Sequence, residues 1–546
     1  MRRACLLATA LLLATLCPAV GVTSAAPAAT APERDADAVQ DGNATAPSTA
    51  AILEHYPNPV ADGNRGEYLV VDLPRPGNWS LWDGHHRARL PEHAVGAVVV
   101  AMDPEYASRH VDGRIYRVDH FPLSASGDRI ELRYEGTPVD VVEYADAEEA
   151  TVWRRGSGWR PYGYEAFDPG TRNVVRNATA TAFVLPDEPN APLAPLREAD
   201  DRIRLAGYTL ASERVADALV DAHQRGVVVS VLVEGTPVGG FPRPMARVLD
   251  RLHRAGIEVR VLAGPRSRFA FHHAKYAVAD DRVVVMTENW KPAGTGGAGS
   301  RGWGVTVANA SLASDLARLF ELDATAVDAQ PWPTARANVT LQNDSRAAAG
   351  FPDRFGPLSA EPERVELLVT PEGGRSRMIS IVDDADERVF VVVPRAGDDS
   401  ELLAAVLRAA DRGVRTRILL SNAWYDEREN ENLTAKLNAR AVARDVPLTV
   451  SIAEPRSRYG KVHAKGVVAD DTVVVGSLNW NRQAATENRE VLLAIESPRL
   501  ADYFARVFAA DWRGGSVFLP FTLVGAVAAA LLGAGWLGRR KVSFVR

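Results

Sequence analysis

A twenty-residue pattern occurs twice in this chain at a fixed offset. The segment HHAKYAVADDRVVVMTENWK (272–291) returns as VHAKGVVADDTVVVGSLNWN (462–481), an offset of 190 residues. The likeness extends upstream through AGPRSRFAF and AEPRSRYGK to helix-like stretches that end at Gly226 and at Gly413. A match of this length indicates a duplicated structural unit. Two half-sites that must meet would explain why both copies keep the same polar residues.

Each copy also carries a strand–helix–strand pattern. In the first copy RIRLAGYTL, ASERVADALVDAHQRG and VVVSVLVEG alternate in this way, with Ser212 as the helix N-cap and Gly226 as the C-cap. In the second copy RVFVVVPR, DDSELLAAVLRAADRG and RTRILLSN do the same. Two β-α-β units predict two lobes with mixed α/β sheets. We place the lobes at residues 181–345 and 360–515.

Residues 51–180 have a different pattern. Short β-branched and aromatic runs are separated by Pro, Gly, Asn and Asp, without a long helical stretch, which predicts an all-β sandwich. The run EHYPNPVADGNRGEYLVVDLPRPGNWSLWDG resembles the opening of lamin-tail domains, and the resemblance implies an immunoglobulin-like sandwich. Residues 26–50 are rich in Ala, Pro, Thr and Asp and lack aromatics, which predicts a disordered spacer.

The two ends of the chain indicate export and anchoring. Two arginines, an apolar run and small residues form a signal peptide over 1–25, with the general secretory and twin-arginine routes both open. The uncharged stretch 517–538, roughly 22 residues at about 1.5 Å each, is long enough for a transmembrane helix. A buried C-terminal helix is the alternative. Basic residues then predict a cytoplasmic tail over 539–546, with the rest outside the cell membrane.

Composition excludes several kinds of chemistry. Both cysteines, Cys5 and Cys17, fall inside the predicted signal peptide, so the exported part would have no disulfide, cysteine nucleophile or thiolate metal site. The net charge of −6 is spread over 546 residues and selects no partner. The candidate chemistry therefore rests on the repeated histidines and lysines.

The repeated segment brings polar groups together. His463 and Lys465 are two apart on a predicted strand and so share a face, and Ser477 and Asn479 do the same after the next strand. Such a set can hold a phosphate oxygen while the imidazole attacks or donates a proton. With 11 His and 6 Lys in 546 residues, chance gives roughly 0.1 His-x-Lys triplets. Two triplets in register therefore indicate a site.

His-x-Lys-x4-Asp followed by Gly-Ser-x-Asn, twice per chain, resembles the phospholipase D superfamily over about residues 183–512. The resemblance implies that the halves pack about a pseudo-twofold axis with both histidines facing one phosphodiester. One histidine would become phosphorylated, and the other would protonate the leaving alcohol and then activate water or an acceptor alcohol. It also implies that no metal or cofactor is needed and that a monomer suffices for the site.

The second copy matches the whole motif, and Glu490 occupies the place of the carboxylate that the family sets against a histidine. In the first copy Met286 and Thr287 replace Gly and Ser, and GTGGAGSRGWGV offers no acid at the place of Glu490. It stays open whether His273, the family's usual nucleophile, has that role here, and whether the first copy has decayed. The candidate catalytic residues are His273, Lys275, Asp280, Asn289, His463, Lys465, Asp470, Ser477, Asn479 and Glu490.

Other residues near the motifs have less specific interpretations. The arginines of the repeated PRSR, at 266, 268, 456 and 458, would either clamp an anionic substrate or lie in solvated turns. His272 is expected on the face opposite His273, in a structural role. Lys291 and Lys461 have no counterpart in the other copy and are expected to be solvated.

The sequence thus predicts an exported, membrane-anchored phosphoric diester hydrolase of the phospholipase D type. A phospholipid head group is narrowly favoured as substrate because the predicted anchor holds the enzyme beside a bilayer. An extracellular nuclease is the first alternative, since lamin-tail domains often accompany nucleases, although the sequence shows no basic groove with interleaved aromatics. A non-catalytic surface-binding protein is the second.

Overall fold

The computed structural model describes residues 49–514, except 62, 64, 168–173 and 344–349. The predicted signal peptide, nearly all of the spacer, the transmembrane segment 517–538 and the tail lie outside the described residues. Among the helices that are described, none combines the length and the apolar character needed to cross a bilayer.

The N-terminal part is built from two β-sheets. One has the strand order β10-β9-β1-β2-β5-β6 and the other the order β4-β3-β7-β8. Ile52 and Val71 of the first sheet share a fully buried core with Leu81 and Ile130 of the second. The elements are β1 (Ala51–Tyr56), β2 (Tyr68–Leu73), β3 (Trp79–Trp82), β4 (Arg87–Arg89), β5 (Gly96–Ala101), α1 (Pro104–Ala107), β6 (Ile115–Arg117), β7 (Asp128–Tyr134), β8 (Thr137–Tyr144), β9 (Thr151–Arg154) and β10 (Gly158–Pro161). Two sheets around one core form a sandwich; the lamin-tail and immunoglobulin-like assignments stay predictions.

The first lobe follows the sandwich along the chain. The elements of this part are β11 (Val174–Val175), β12 (Thr179–Leu185), α2 (Ala194–Glu198), β13 (Arg202–Gly207), α3 (Glu213–Gln224), β14 (Val228–Glu234), β15 (Phe241–Pro242), α4 (Arg243–Arg254), β16 (Glu258–Leu262), β17 (Lys275–Ala279), β18 (Arg282–Met286), β19 (Ser300–Ala308), α5 (Ala310–Ala324), β20 (Ala329–Pro331), α6 (Trp332–Asn338), β21 (Leu341–Gln342) and β22 (Leu358–Ala360). A short 3-10 helix, Ala191–Leu193, precedes α2. The predicted N-cap Ser212 directly precedes α3, and Gly226 follows it with a φ of 99°.

The second lobe repeats this order of elements. They are β23 (Arg364–Thr370), α7 (Gly374–Asp383), β24 (Arg388–Val393), α8 (Glu401–Asp411), β25 (Arg415–Leu420), α9 (Glu427–Arg444), β26 (Leu448–Ile452), β27 (Lys461–Val462), β28 (Gly466–Ala469), β29 (Thr472–Gly476), α10 (Arg482–Thr486), β30 (Glu490–Glu496) and α11 (Pro498–Trp512). The short strand β11, which precedes the first lobe in the chain, pairs with β23 and so belongs to the second sheet.

The sheets of the two lobes have the same topology. One runs β16-β14-β13-β17-β18-β19-β12-β22 and the other β26-β25-β24-β28-β29-β30-β23-β11. In both, the β-α-β strands pair in parallel and the strands that follow the histidine motifs pair antiparallel. The mixed α/β fold predicted for each copy is confirmed, and the eight strands of one order correspond to the eight of the other. The first sheet also has an edge strand, β20 beside β16, without an equivalent among the described strands of the second.

The two sheets pack against each other. A single buried core joins Trp303 and Val305 of β19 to Val475 of β29 and Phe504 of α11. The ring centroids of Trp303 and Phe504 are 4.5 Å apart, and a Cβ at Gly466 would overlap the Trp303 ring. This close approach places the starts of β17 and β28, and therefore both histidine motifs, at one junction between the lobes.

Candidate active site

The main chain of each histidine is held by the opposite lobe. The N–H of His273 donates to the carbonyl oxygen of Arg489 at 2.9 Å, and the N–H of His463 donates to the carbonyl oxygen of Arg301 at 3.0 Å. Strand β27, just before His463, extends the sheet of the first lobe by pairing with β19. The two histidine motifs are therefore brought together by reciprocal backbone contacts.

This pairing corrects one detail of the sequence analysis. His463 and Lys465 were expected on one strand, but β28 begins only at Gly466, and in the first lobe β17 begins at Lys275. The histidines lie just outside their own sheets because their backbone N–H groups bond to the other lobe. Each histidine and its lysine nevertheless stay close to each other, because the lysine Nζ donates to the carbonyl oxygen of the histidine.

Glu490 pairs with the histidine of the first lobe. Its two carboxylate oxygens lie 2.9 and 3.0 Å from His273 Nδ1, and Asn488 Nδ2 donates to Oε1 at 3.0 Å. Burial alone would raise the pKa of Glu490, but His273 and Lys275 outweigh it and leave that pKa lowered. A carboxylate only accepts hydrogen bonds, so Nδ1 carries the proton and Nε2 of His273 keeps its lone pair.

Glu288 gives the histidine of the second lobe the same kind of partner. Its Oε2 lies 3.2 Å from His463 Nδ1, and the Glu288 side chain is 1% exposed. Sequence reasoning found no acid in the first copy and missed this residue. The signal was present, because Glu288 occupies the place at which the second copy has a buried leucine, Leu478.

The acid of the first lobe, Glu288, occupies a different position in the repeat from the acid of the second lobe, Glu490. Met286 pairs with Gly304, and Gly476 pairs with Leu492, so Gly302 is the counterpart of Glu490. A Cβ at Gly302 would overlap the side chain of Glu288. The acid that is missing from the strand is therefore supplied by the preceding loop, and the glycine provides its space.

The two motif lysines are buried beside the histidines. Lys275 and Lys465 are 0% and 1% exposed, and the Nζ of each donates to the carbonyl oxygen of the histidine two residues before it. Lys465 Nζ also lies 3.4 Å from the carbonyl oxygen of Thr287 in the first lobe. Tyr208, which sequence reasoning also missed, lies under Lys275 Nζ, 5.3 Å from its ring centroid, and meets the ring of His273 edge-on.

Burial dominates the electrostatics of the site. It lowers the pKa of His273 to about 4 and, with Lys465, that of His463 to about 3, although the paired carboxylates oppose the shift. Burial likewise lowers the pKa of Lys465 to about 8 and that of Lys275 well below its usual range. Both imidazoles are therefore neutral in the empty site at pH 7, and an entering anion would favour their protonation.

The hydroxyl groups after the second motif strand support the main chain. Ser477 Oγ accepts from the N–H of Val491 at 3.0 Å, and Thr287 Oγ1 accepts from the N–H of Trp303 at 3.0 Å. Both are fully buried. Threonine thus replaces serine without loss of the bond, and Ser477 also helps to lower the pKa of Glu490.

The two motif asparagines lie on the same turns. Asn289 is 5% exposed, and within the described residues its Oδ1 has no hydrogen-bond partner; Asn479 is half-buried. An unpaired buried amide is costly unless a ligand uses it. The unpaired Oδ1 can only accept, so it would take a hydrogen bond from a ligand hydroxyl group or a water, and Nδ2 is the atom that could donate to a substrate oxygen.

Asp280 and Asp470 are not near the histidines. Each follows the strand that starts beside its lysine, roughly 17 Å along the chain direction at about 3.3 Å per residue. The Asp280 carboxylate accepts three backbone N–H bonds of 2.8–3.0 Å from residues 200–202, and that of Asp470 does so from 386–388. This corrects the expectation that they share the site, because their carboxylates are fully used in securing turns.

The PRSR arginines at 268 and 458 neither clamp a substrate nor lie in solvated turns. Arg268 binds Asp323, which also binds Arg489 of the other lobe at 3.1 Å. The second lobe repeats the cluster: Arg458 and Arg301 share Asp511. All of these side chains are at most 2% exposed. These two buried ion clusters fasten the arginines whose carbonyl groups hold the histidines.

The remaining expectations have mixed outcomes. Arg266 is exposed and its Nε binds Glu149 of the sandwich at 2.9 Å, while exposed Arg456 binds Glu454 at 3.0 Å. His272 is 1% exposed and packed toward Asp323, which confirms its structural role. Within the described ranges, no three His, Cys, Asp or Glu side chains converge as a metal site requires.

Comparison with known proteins assigns the lobes. A family model described as "Cardiolipin synthase, PLD-like domain" matches residues 193–323 and 378–512, one segment in each lobe and each with its histidine motif. The chain belongs to the phospholipase D superfamily. The prediction of a phosphoric diester hydrolase of the phospholipase D type is confirmed at the level of the family.

Two curated relatives in the superfamily match part of the chain. The mitochondrial cardiolipin hydrolase of Xenopus tropicalis is 27% identical over 160 residues, which are 27% of this chain and 71% of that protein. The phospholipase D of Rickettsia bellii (strain RML369-C) is 28% identical over 143 residues, 26% of this chain and 65% of that protein. The chain thus spans less than two thirds of the second relative.

Solved structures in the comparison include the phosphatidylserine synthase of Haemophilus influenzae Rd KW20, with a TM-score of 0.45 and 13% identity over 62% of this chain and 85% of that one. The phospholipase D family member Nuc from Salmonella typhimurium has a TM-score of 0.25 and 21% identity, covering 28% of this chain and 97% of its own. Neither likeness carries an argument about substrate.

Proposed function

We propose that this chain hydrolyses phosphodiesters through a covalent phosphohistidine on His273, with His463 as the proton donor and without a metal ion. The observation that carries the proposal is the crossed pairing of each histidine with a buried carboxylate from the other lobe. Such pairing fixes the proton on Nδ1 of both rings and directs both Nε2 atoms away from the acids.

His273 has the features of a nucleophile. Glu490 holds its Nδ1 through both oxygens, whereas Glu288 meets His463 through one, and the other Glu288 oxygen has no partner among the described residues. The better-fixed ring presents a neutral Nε2 lone pair. His463, with its side chain 22% exposed against 10% for His273, is more accessible to a leaving alcohol and to water.

The reaction then proceeds in two balanced steps. His273 Nε2 attacks phosphorus as the bond to the leaving oxygen breaks, and protonated His463 gives that oxygen its proton. Neutral His463 next removes a proton from water, whose oxygen attacks phosphorus and releases His273 and a phosphomonoester. The ammonium groups of Lys275 and Lys465 and the amide of Asn289 would stabilise the charge on the phosphoryl oxygens.

The test uses the purified full chain, bis(4-nitrophenyl) phosphate and excess chelator. Wild type and the exposed-turn control His85→Asn should release nitrophenol, and His273→Asn should not. His463→Asn should accumulate acid-labile, base-stable phosphate on His273, because nitrophenolate leaves without a proton while hydrolysis of the intermediate slows. Turnover by wild type with phosphate trapped on neither histidine would overturn the covalent step.

We further propose that the lobes act outside the cell membrane, tethered by 517–538 after removal of 1–25. The support is the charge and hydropathy pattern of both ends. Protease added to intact cells should remove the lobes and leave the tail protected. Protection of the lobes in intact cells would contradict this orientation.

A further inference from the structure

A cleft of about 980 Å³, at the upper end of the size of ligand pockets, is lined in part by Lys291 and Lys461, which flank the two histidine motifs in the chain. Its walls come from both lobes: the start of α4, the loop after β18, the loop between β25 and α9, and β27. The six residues that define its chemistry are Arg243, Arg247, Lys291, Trp424, Tyr425 and Lys461. We call it the aromatic cleft.

The aromatic cleft is basic. Arg243 and Arg247 are exposed and four residues apart on α4, so they share a helix face. Together with Lys291 and Lys461 they are four cations, and no carboxylate of the described residues lies within 4 Å of any of them. The cleft's one acid, Glu213, already binds Arg251 at 3.1 Å. Four cations in one cleft, none with a carboxylate partner at ion-pair distance among the described residues, favour a polyanionic ligand.

Two aromatic side chains stand on the opposite wall. Trp424 is 83% exposed and Tyr425 is 51% exposed, and their rings meet edge-on with centroids 5.6 Å apart. Lys461 Nζ donates to the Tyr425 hydroxyl at 2.6 Å and so braces that ring. The other exposed large apolar side chains of the described residues are valines, none of them in the cleft. The face of the Trp424 ring is therefore free to stack on a flat ring of a ligand. It does not belong to an extended apolar surface of the described residues.

The aromatic cleft adjoins both histidine motifs through two of its lysines. Lys461 is two residues before His463, and Lys291 is two residues after Asn289. Lys291 contributes to the lowered pKa of Glu288, and Lys461 contributes to that of Lys465, so both act on groups of the histidine site. A chain lying in the cleft would present its next phosphodiester to His273 and His463.

We propose that the aromatic cleft binds single-stranded nucleic acid, with its phosphates on the four cations and a base stacked on Trp424. Backbone-tracking cations combined with aromatic platforms are how proteins hold unpaired strands. A phospholipid would place one phosphate at the histidines and leave the outlying arginines without an anion. The inference rests on the proposed phosphodiesterase, since the bound strand would be its substrate.

The test measures binding separately from turnover. Fluorescein-labelled single-stranded DNA and RNA of 12 nucleotides are titrated with the full chain in chelator, and anisotropy gives Kd at several salt concentrations. Trp424→Ala/Tyr425→Ala should raise Kd at least tenfold. Arg243→Ala/Arg247→Ala should also reduce the salt slope by about 1.4, since each contact to a single strand contributes about 0.7. Arg282→Ala, at the start of β18, and Val442→Ala are matched controls and should leave Kd unchanged.

The outcomes separate the two proposals. Hydrolysis of bis(4-nitrophenyl) phosphate without oligonucleotide binding would overturn the cleft assignment and leave the phosphodiesterase standing. Oligonucleotide binding that the cleft variants weaken, without turnover of either substrate, would support the cleft and overturn the phosphodiesterase. Binding of anionic phospholipid vesicles that the same variants abolish, with no oligonucleotide bound, would make the cleft a membrane contact and overturn the inference.

Discussion

Gly302 leaves the space of a side chain to Glu288, whose carboxylate then reaches His463 in the other lobe. In the second lobe the equivalent positions hold Glu490 and Leu478, so acid and apolar residue have exchanged places. The two arrangements deliver a carboxylate to the same ring nitrogen of the facing histidine. The requirement is therefore for a charge at one point in space and not for an acid at one point in the repeat.

Moving this acid back to the strand is a direct test. Glu288→Leu should lower kcat by about 10²-fold because His463 loses its Nδ1 partner. Gly302→Glu alone should also lower kcat, because the new side chain would overlap that of Glu288. Glu288→Leu/Gly302→Glu should recover most of the loss, measured as coupling in a double-mutant cycle of kcat. Additive losses in the double variant would refute the equivalence of Gly302 and Glu490.

Anion binding should be coupled to proton uptake. The pKa of His463 is about 3 in the empty site, so the ring is neutral at pH 6.5. A bound anion raises that pKa and the ring gains a proton, so affinity should fall as pH rises. Calorimetry of sulfate binding in two buffers of different ionisation enthalpy measures the uptake. We expect close to one proton for wild type and less for His463→Asn; equal uptake by both proteins would refute this assignment.

Lys465 should set an alkaline limit on activity. Burial lowers its pKa to about 8, so the ammonium loses its charge, and its hold on the substrate anion, as pH rises through that value. We expect kcat/KM for bis(4-nitrophenyl) phosphate to decline above about pH 8. Lys465→Arg stays charged, so it should have a lower kcat/KM but should not show this decline at alkaline pH. A decline at the same pH in both proteins would assign it to another group.

The buried ion clusters should be worth much more than surface pairs. Arg489→Ala removes the cation paired with Glu372 in the interior and leaves Asp323 with Arg268 alone, and we expect a loss of about 3–5 kcal/mol in the free energy of unfolding. Lys436→Ala, which breaks an exposed pair with Asp398, should cost less than about 1 kcal/mol. Denaturant titration gives both values, and similar losses in the two variants would contradict the role of the cluster.

The turn aspartates should matter for stability and not for chemistry. Asp470→Ala removes the acceptor of three backbone N–H groups from a turn with φ 48°, so unfolding should become easier by about 1–3 kcal/mol. The kcat of the folded protein should stay within about twofold of wild type. A 10²-fold loss of kcat at unchanged stability would return Asp470 to the catalytic set.

Much of this architecture could be predicted from the sequence because it is written in short-range patterns. The β-α-β periodicity, the helix start at Ser212 and the histidine motifs each occupy one short run of consecutive residues. The repeat then implied that the lobes share one topology and that their motifs meet. Residues with a local signal, such as His273 and Lys465, lie at the same junction between the lobes in the structure.

What escaped prediction depends on contacts between distant segments. Glu288 meets a histidine 175 residues away, and its local signal is limited to the difference from Leu478 at the same place in the repeat. Arg268 stands in a polar turn that suggests exposure, yet its partner Asp323 lies 55 residues further on. The cleft cations lie on α4, on the loop after β18 and on β27, so their convergence was not visible in the sequence.

The crossed carboxylates also limit how the protein can be divided. A cut between β21 and β22 would give two fragments, each with a complete histidine motif and each lacking the acid that fixes its ring. Mixing the two fragments should restore the two histidine–carboxylate pairs, which neither fragment can form alone. Likewise, a chimaera that takes one half from a relative must bring an acid of the borrowed half to Nδ1 of the histidine in the retained half.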